Sequence, residues 1–135
     1  PLPHASRIIH RARVAVTALV TVEGRPVRVY CVHLGSPIGI SGGKRRAQAE
    51  VVLADAELSP GPTIVAGDFN SHGIGDAFLD RGYVWATRSV GKTVALFSFD
   101  HVFLRGLPGR VTAGVAREVD KASDHRPVWA ALDRQ

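Results

Sequence analysis

Six side chains in this 135-residue sequence could do chemistry together: His33, Asp68, Asn70, Asp100, Asp124 and His125. Three carboxylates, one amide and two imidazoles make an oxygen-rich donor set. Such a set suits a hard cation, Mg²⁺ or Mn²⁺, rather than the tetrahedral Cys/His shell of zinc. A phosphate ester is the natural substrate of that cation, which draws charge off the phosphoryl oxygens. Asp68 and Asn70 stand two apart, so on an extended segment they face the same side. The run Lys44-Arg45-Arg46 is a further candidate, for binding substrate phosphate. Cations at the start of a helix oppose its dipole, and that mild cost favours gripping an anion over forming a plain solvated face.

These residues need elements that bring them to one rim. Residues 12–22 alternate valines with polar residues, the period of a half-buried strand. A turn at residues 23–26 leads to a second strand over residues 27–34 that ends at His33, and the short connection makes the pair a hairpin. The glycine-rich stretch 35–43 reads as a loop in which backbone can approach a ligand closely. Residues 44–58 change to helical spacing, with Ala47, Val51, Ala54 and Leu58 as the inward stripe. The short apolar run 63–67 is a strand covered on both faces, and it delivers Asp68 and Asn70 to its end. A short helix over residues 76–81 with Gly82 as its C-cap follows, then strands over 97–104, 110–119 and 127–132. Cys31 is expected to be a small buried residue. The order predicts one α/β (α+β) unit with a mixed, mostly antiparallel sheet and flanking helices, its polar residues gathered at strand ends.

Composition sets the frame. A hydrophobic fraction of 45% with 21% charged residues excludes a disordered tail. No apolar run approaches a membrane span, and the first thirteen residues lack the apolar stretch of a secretion signal. One cysteine is compatible with either redox compartment, so localisation stays open. The formal charge of +5 is uneven. Residues 1–46 carry eight Lys/Arg against one acid, and residues 47–135 carry nine against eleven. The basic first third favours a polyanion such as DNA.

Four stretches together resemble the endonuclease/exonuclease/phosphatase superfamily: Val32-His33-Leu34, Gly67-Asp68-Phe69-Asn70, Phe99-Asp100-His101-Val102-Phe103 and Ser123-Asp124-His125-Arg126-Pro127. The resemblance implies metal-dependent hydrolysis of phosphate esters. It makes Asp68 the carboxylate that positions or deprotonates the attacking water and a contributor to the metal site. Asn70 would hold the phosphate and that water, and His125 would contact the scissile phosphoryl oxygen with its ring oriented by Asp100. Asp124 would assist the metal and His33 would be the second histidine. Which group is the general base stays open.

The resemblance also implies half of a four-layered α/β sandwich. Members are about twice this length, and their first half supplies the Glu that is the principal metal ligand. Neither Glu23 nor Glu50 fits that role here. With no methionine and Pro1 at its start, the sequence is expected to be the C-terminal half of a single domain over residues 1–135. Its partner would be the N-terminal half of the same precursor, or a second copy of the chain. An alternative from another class is a catalytically incomplete remnant that binds phosphate or another subunit. Val94 falls where many members carry an aromatic after a threonine, so a stacking ring near the site is expected to be missing.

Overall fold

The computed structural model describes Leu2, residues 13–117 and residues 123–133. The elements run β1 (Ala15–Val22), β2 (Arg25–His33), α1 (Gly42–Glu57), β3 (Thr63–Asp68), α2 (Gly75–Leu79), β4 (Val84–Trp85), β5 (Asp100–Arg105), β6 (Arg110–Val115) and β7 (Val128–Asp133). The expected order therefore holds, with the two-residue β4 added. Among the described residues no helix is long and apolar enough to cross a membrane.

β1 and β2 form a hairpin through Glu23 and Gly24, both with positive φ (49° and 77°), the turn whose twist suits two strands joined by two residues. α1 then carries the chain back over the sheet so that β3 pairs parallel to β2, as a crossover connection requires. β5 pairs antiparallel with β3, and β4 flanks β5. The five strands lie in the order β1-β2-β3-β5-β4, mixed and mostly antiparallel, while β6 and β7 form a separate two-stranded sheet.

Register assigns the two faces. Tyr30, Val65 and Phe103 stand side by side on one face and pack against Ala49, Val52, Leu53 and Ala56 of α1 and Phe78 of α2. Phe78 and Phe103 stack at 4.0 Å between ring centroids. Val16, Cys31, Ala66 and Val102 stand side by side on the other face. There the β6–β7 hairpin covers only part of the sheet, leaving an apolar groove lined by Ile64, Val102, Leu104, Val128 and Leu132.

Several expectations need correction. α1 buries Arg45, Gln48, Ala49, Val52, Leu53 and Ala56. The stripe read from sequence points outward: Leu58 is 82% exposed, and Ala47, Val51 and Ala54 are also exposed. The helix carries small and aliphatic residues all round, so hydropathy alone did not single out its inner face. β1 alternates as expected, and its valines lie open to water: Val16 is 61% exposed. The strand lies at the edge of the five-stranded sheet, and Val22 at its end shares the apolar groove with β7. β2 buries Val27, Tyr30 and Val32. Cys31 is exposed, because its place in the register puts it on the face without helices.

Candidate active site

Strand register builds the site. His33 pairs with Asp68 across β2 and β3, and Asp68 pairs with Asp100 across β3 and β5. Three polar side chains therefore stand in one row, at the strand spacing of about 4.8 Å, on the face opposite the helices. β2 and β3 are parallel and contribute their C-terminal ends, while β5 runs the other way and contributes its first residue. The close approach depends on Gly67. Its φ is 138°, and a Cβ there would lie 2.0 Å from the Val32 carbonyl oxygen.

Asp68 is held at both oxygens. Oδ1 accepts from the Asn70 backbone N–H at 2.8 Å and Oδ2 from Asn70 Nδ2 at 3.1 Å. Nδ2 also donates to the Leu34 carbonyl at 3.1 Å. The Asx-type turn that these residues could form as plain structure is thus present, and it is what aims Asp68. Asn70 occupies the left-handed region (φ 51°), which Asn tolerates better than most residues. Both hydrogens of its amide are engaged, so what remains for a ligand is Oδ1. Donating to a phosphate would require exchanging one of these bonds.

His33 Nε2 lies 3.4 Å from Asp68 Oδ2. His125 reaches in from the loop before β7, and its Nδ1 donates to both oxygens of Asp100, at 2.9 and 3.1 Å. Asp124 lies on the same cleft, whose walls are His33, Ser36, Asp68, Asn70, Asp100, Asp124 and His125. Asp68, Asp100 and His125 each place one ligand atom within 4.8 Å of the others.

Burial and the neighbouring Asp100 charge push the Asp68 carboxyl above its ordinary range, against the opposing pull of the Asn70 N–H, His33 and His125. Burial lowers the affinity of His125 for its proton, but the hydrogen bond and charge of Asp100, with Asp68 and Asp124, outweigh it and leave the imidazole raised. Two carboxylates that repel one another beside a cleft are relieved by a cation. The oxygen donors fit a hard divalent ion better than a soft one.

Lys44, Arg45 and Arg46 are not brought to this cleft. Arg45 is buried and turned inward, donating from Nη1 to the Ile40 carbonyl at 2.7 Å, where it braces the 35–41 loop. Burial lowers its pKa. Arg46 is exposed and lies 3.6 Å from Glu50 one turn on, and Lys44 is exposed at the start of α1.

Two residues beside the site were not picked out from the sequence. Ser36 lines the cleft, and its place just after His33 in a glycine-rich loop was the available signal. His101 is fully buried on the helix face, one residue past Asp100. Its Nδ1 is 3.3 Å from Trp85 Nε1, which can only donate, so Nδ1 accepts and Nε2 carries the proton it donates to the Ser71 carbonyl at 3.2 Å. Burial drives its pKa down to about 4, so the ring is neutral and fastens the chain just beyond Asn70. Just ahead of Asp100, Phe97 and Phe99 stack on one another at 5.0 Å.

A family model described as the Endonuclease/Exonuclease/phosphatase family matches residues 5–125. Among solved structures, D. rerio TDP2 complexed with a single-strand DNA product superposes with a TM-score of 0.70 at 20% identity, over 90% of this chain and 62% of that one. An endonuclease/exonuclease/phosphatase family protein from Leptotrichia buccalis gives 0.68 at 20% identity, over 89% and 53%. A mannosyl-6-phosphatase from Bacteroides thetaiotaomicron gives 0.62 at 24% identity, over 83% and 53%. At these identities the likeness is one of fold. The chain spans between 53% and 62% of the length of these three proteins. No curated protein sequence matches it.

Proposed function

The chain belongs to the endonuclease/exonuclease/phosphatase family, and from that premise we propose that it carries the proton-handling side of a divalent-cation-dependent phosphate-ester hydrolase. The observation that carries the proposal is the row His33–Asp68–Asp100 with His125 held on Asp100.

In this reading water stands over Asp68, oriented by that carboxylate and by Asn70 Oδ1. The carboxylate, raised above its ordinary range, is a better proton acceptor than a free one. The raised imidazole of His125, fixed by its Nδ1–H shared between both oxygens of Asp100, faces a phosphoryl oxygen and stabilises the charge that grows there. His33 is the second imidazole and serves the phosphate or the leaving oxygen. Asp68 and Asp124 would hold the cation, Mg²⁺ or Mn²⁺, which when bound would polarise the phosphoryl group. The likeness to TDP2 in complex with DNA and the basic first third, eight Lys/Arg against one acid over residues 1–46, favour a nucleic-acid phosphodiester. Lys44 and Arg46 on the exposed start of α1 supply positive charge for it. We assign the chain as one half of a single catalytic domain, completed across its apolar face by the N-terminal half of the same precursor or by a second copy.

Asp68→Asn in the full-length protein tests the reading with bis-(p-nitrophenyl) phosphate and Mg²⁺. Turnover is expected to fall on the order of 10²- to 10⁴-fold. Unchanged metal-dependent cleavage would overturn the assignment. A wild-type protein that binds phosphate without cleaving any ester would point to the remnant instead.

A further inference from the structure

Asp100 and His125 are separated by 25 residues and belong to different segments, yet the imidazole meets both carboxylate oxygens within 3.1 Å. We propose that Thr93, which touches neither side chain, is the positioning residue that sets this distance; the inference rests on the catalytic reading above. Thr93 is 1% exposed, and each of its polar groups is engaged with one of the two segments. Its hydroxyl oxygen accepts from the Phe99 N–H at 3.0 Å and the Asp100 N–H at 3.3 Å, which fixes the backbone where β5 begins. Its carbonyl accepts from the Arg126 N–H at 2.7 Å, holding the residue just after His125. Its own N–H donates to the Phe97 carbonyl at 2.8 Å. The next residue, Val94, bridges to Phe97 on one side and to His125 on the other, so residues 93–94 act as a short splint between the two segments.

A hydroxyl that only needed satisfying could do with a single partner. Here one oxygen gathers two consecutive amides, and the second of them belongs to Asp100 itself. Without that oxygen both amides lose a buried acceptor, and the start of β5 is free to shift against the loop that carries His125. Such a shift moves the imidazole out of line with Asp100 while leaving the cleft open to substrate.

Thr93→Val keeps the shape and removes the oxygen; Thr93→Ser keeps the oxygen. In the full-length enzyme with Mg²⁺ and bis-(p-nitrophenyl) phosphate, Thr93→Val is expected to lower kcat roughly 10- to 100-fold. KM should stay within about twofold, the pattern of a lost transition-state contact. Thr93→Ser should restore most of kcat. In an Asp100→Asn background Thr93→Val should cost nothing further, because the route it acts through is already cut. The low-field Nδ1 proton of His125, followed by NMR independently of turnover, should move upfield or be lost in Thr93→Val and persist in Thr93→Ser. Should Thr93→Val fail to fold, Thr93→Ala leaves room for water at the two amides and is read in the same way. A lowered melting temperature with wild-type kcat and an unmoved Nδ1 proton would overturn the inference. If Asp100→Asn itself left turnover intact, the catalytic reading would fail instead, while the Nδ1 proton would still report on Thr93.

Discussion

An imidazole and a carboxylate placed as His125 and Asp100 are changes what pH does to the protein. The folded state favours the charged ring, so the pair contributes stability in full below the unfolded pKa of about 6.5 and loses it as pH rises through the higher folded value. Asp100→Asn removes the nearest charge and turns a charge-assisted hydrogen bond into a neutral one, so burial is then opposed mainly by Asp68 and Asp124. The pKa of His125 should then fall below its wild-type value, and the alkaline loss of stability should begin at lower pH. NMR titration of the ring in both proteins reads this directly, and superimposable curves would dissolve the pair. His101 shows the opposite design at the neighbouring position. Its pKa near 4 makes it silent across the physiological range, so one histidine can titrate while the adjacent strand position supports the chain beneath it.

At the level of elements, the contact between β2 and β3 is where the site is most exposed to damage. Gly67→Ala would put a methyl 2.0 Å from the Val32 carbonyl at a φ of 138°. A cost above about 2 kcal/mol is expected, because the strands must part or the backbone must leave its conformation. Gly24→Ala, with a φ of 77° but no atom within 4 Å of the added carbon, should cost only about 1 kcal/mol, chiefly for the conformation. Urea unfolding of the two variants compares them, and a Gly67→Ala protein as stable as wild type would mean that the strands are not packed as described. The same elements show what the sequence could disclose. Alternating or continuous apolar runs fixed β1, β2 and β3, and the polar residues at their ends marked the site. β4 escaped because two residues carry no period. The inner face of α1 escaped because it includes Arg45 and Gln48, whose polar groups are met by the loop ahead of the helix: the Ile40 carbonyl for one and the Gly35 N–H for the other. The pairing that sets His33 beside Asp68, and the braces at Thr93 and His101, are likewise matters of register and contact that no single segment encodes.

For the whole molecule, the two faces of the sheet are unequal. The helix side is closed, with Val65 and Phe103 fully buried, while the other leaves Val16, Val20 and Val22 between 38% and 61% exposed, and Trp129 of the hairpin that partly covers it is itself 49% exposed. Burying a valine-sized side chain is worth roughly 1.5–3 kcal/mol, so a covering layer would gain substantially by closing this face. We expect the protein as isolated to carry one, either a second polypeptide of similar size or a second identical chain. Native mass spectrometry distinguishes the two, and a well-folded 14.4 kDa monomer with nothing attached would contradict both. The row His33–Asp68–Asp100 has a consequence for quality control. A slip of one residue between β2 and β3, or between β3 and β5, would turn the slipped strand's polar group toward the helices and put a neighbour in its place: Val32 or Leu34 for His33, Gly67 or Phe69 for Asp68, Phe99 or His101 for Asp100. A wrongly zipped copy therefore cannot line up the three polar groups, and the proposed chemistry depends on this sheet being zipped in one register alone.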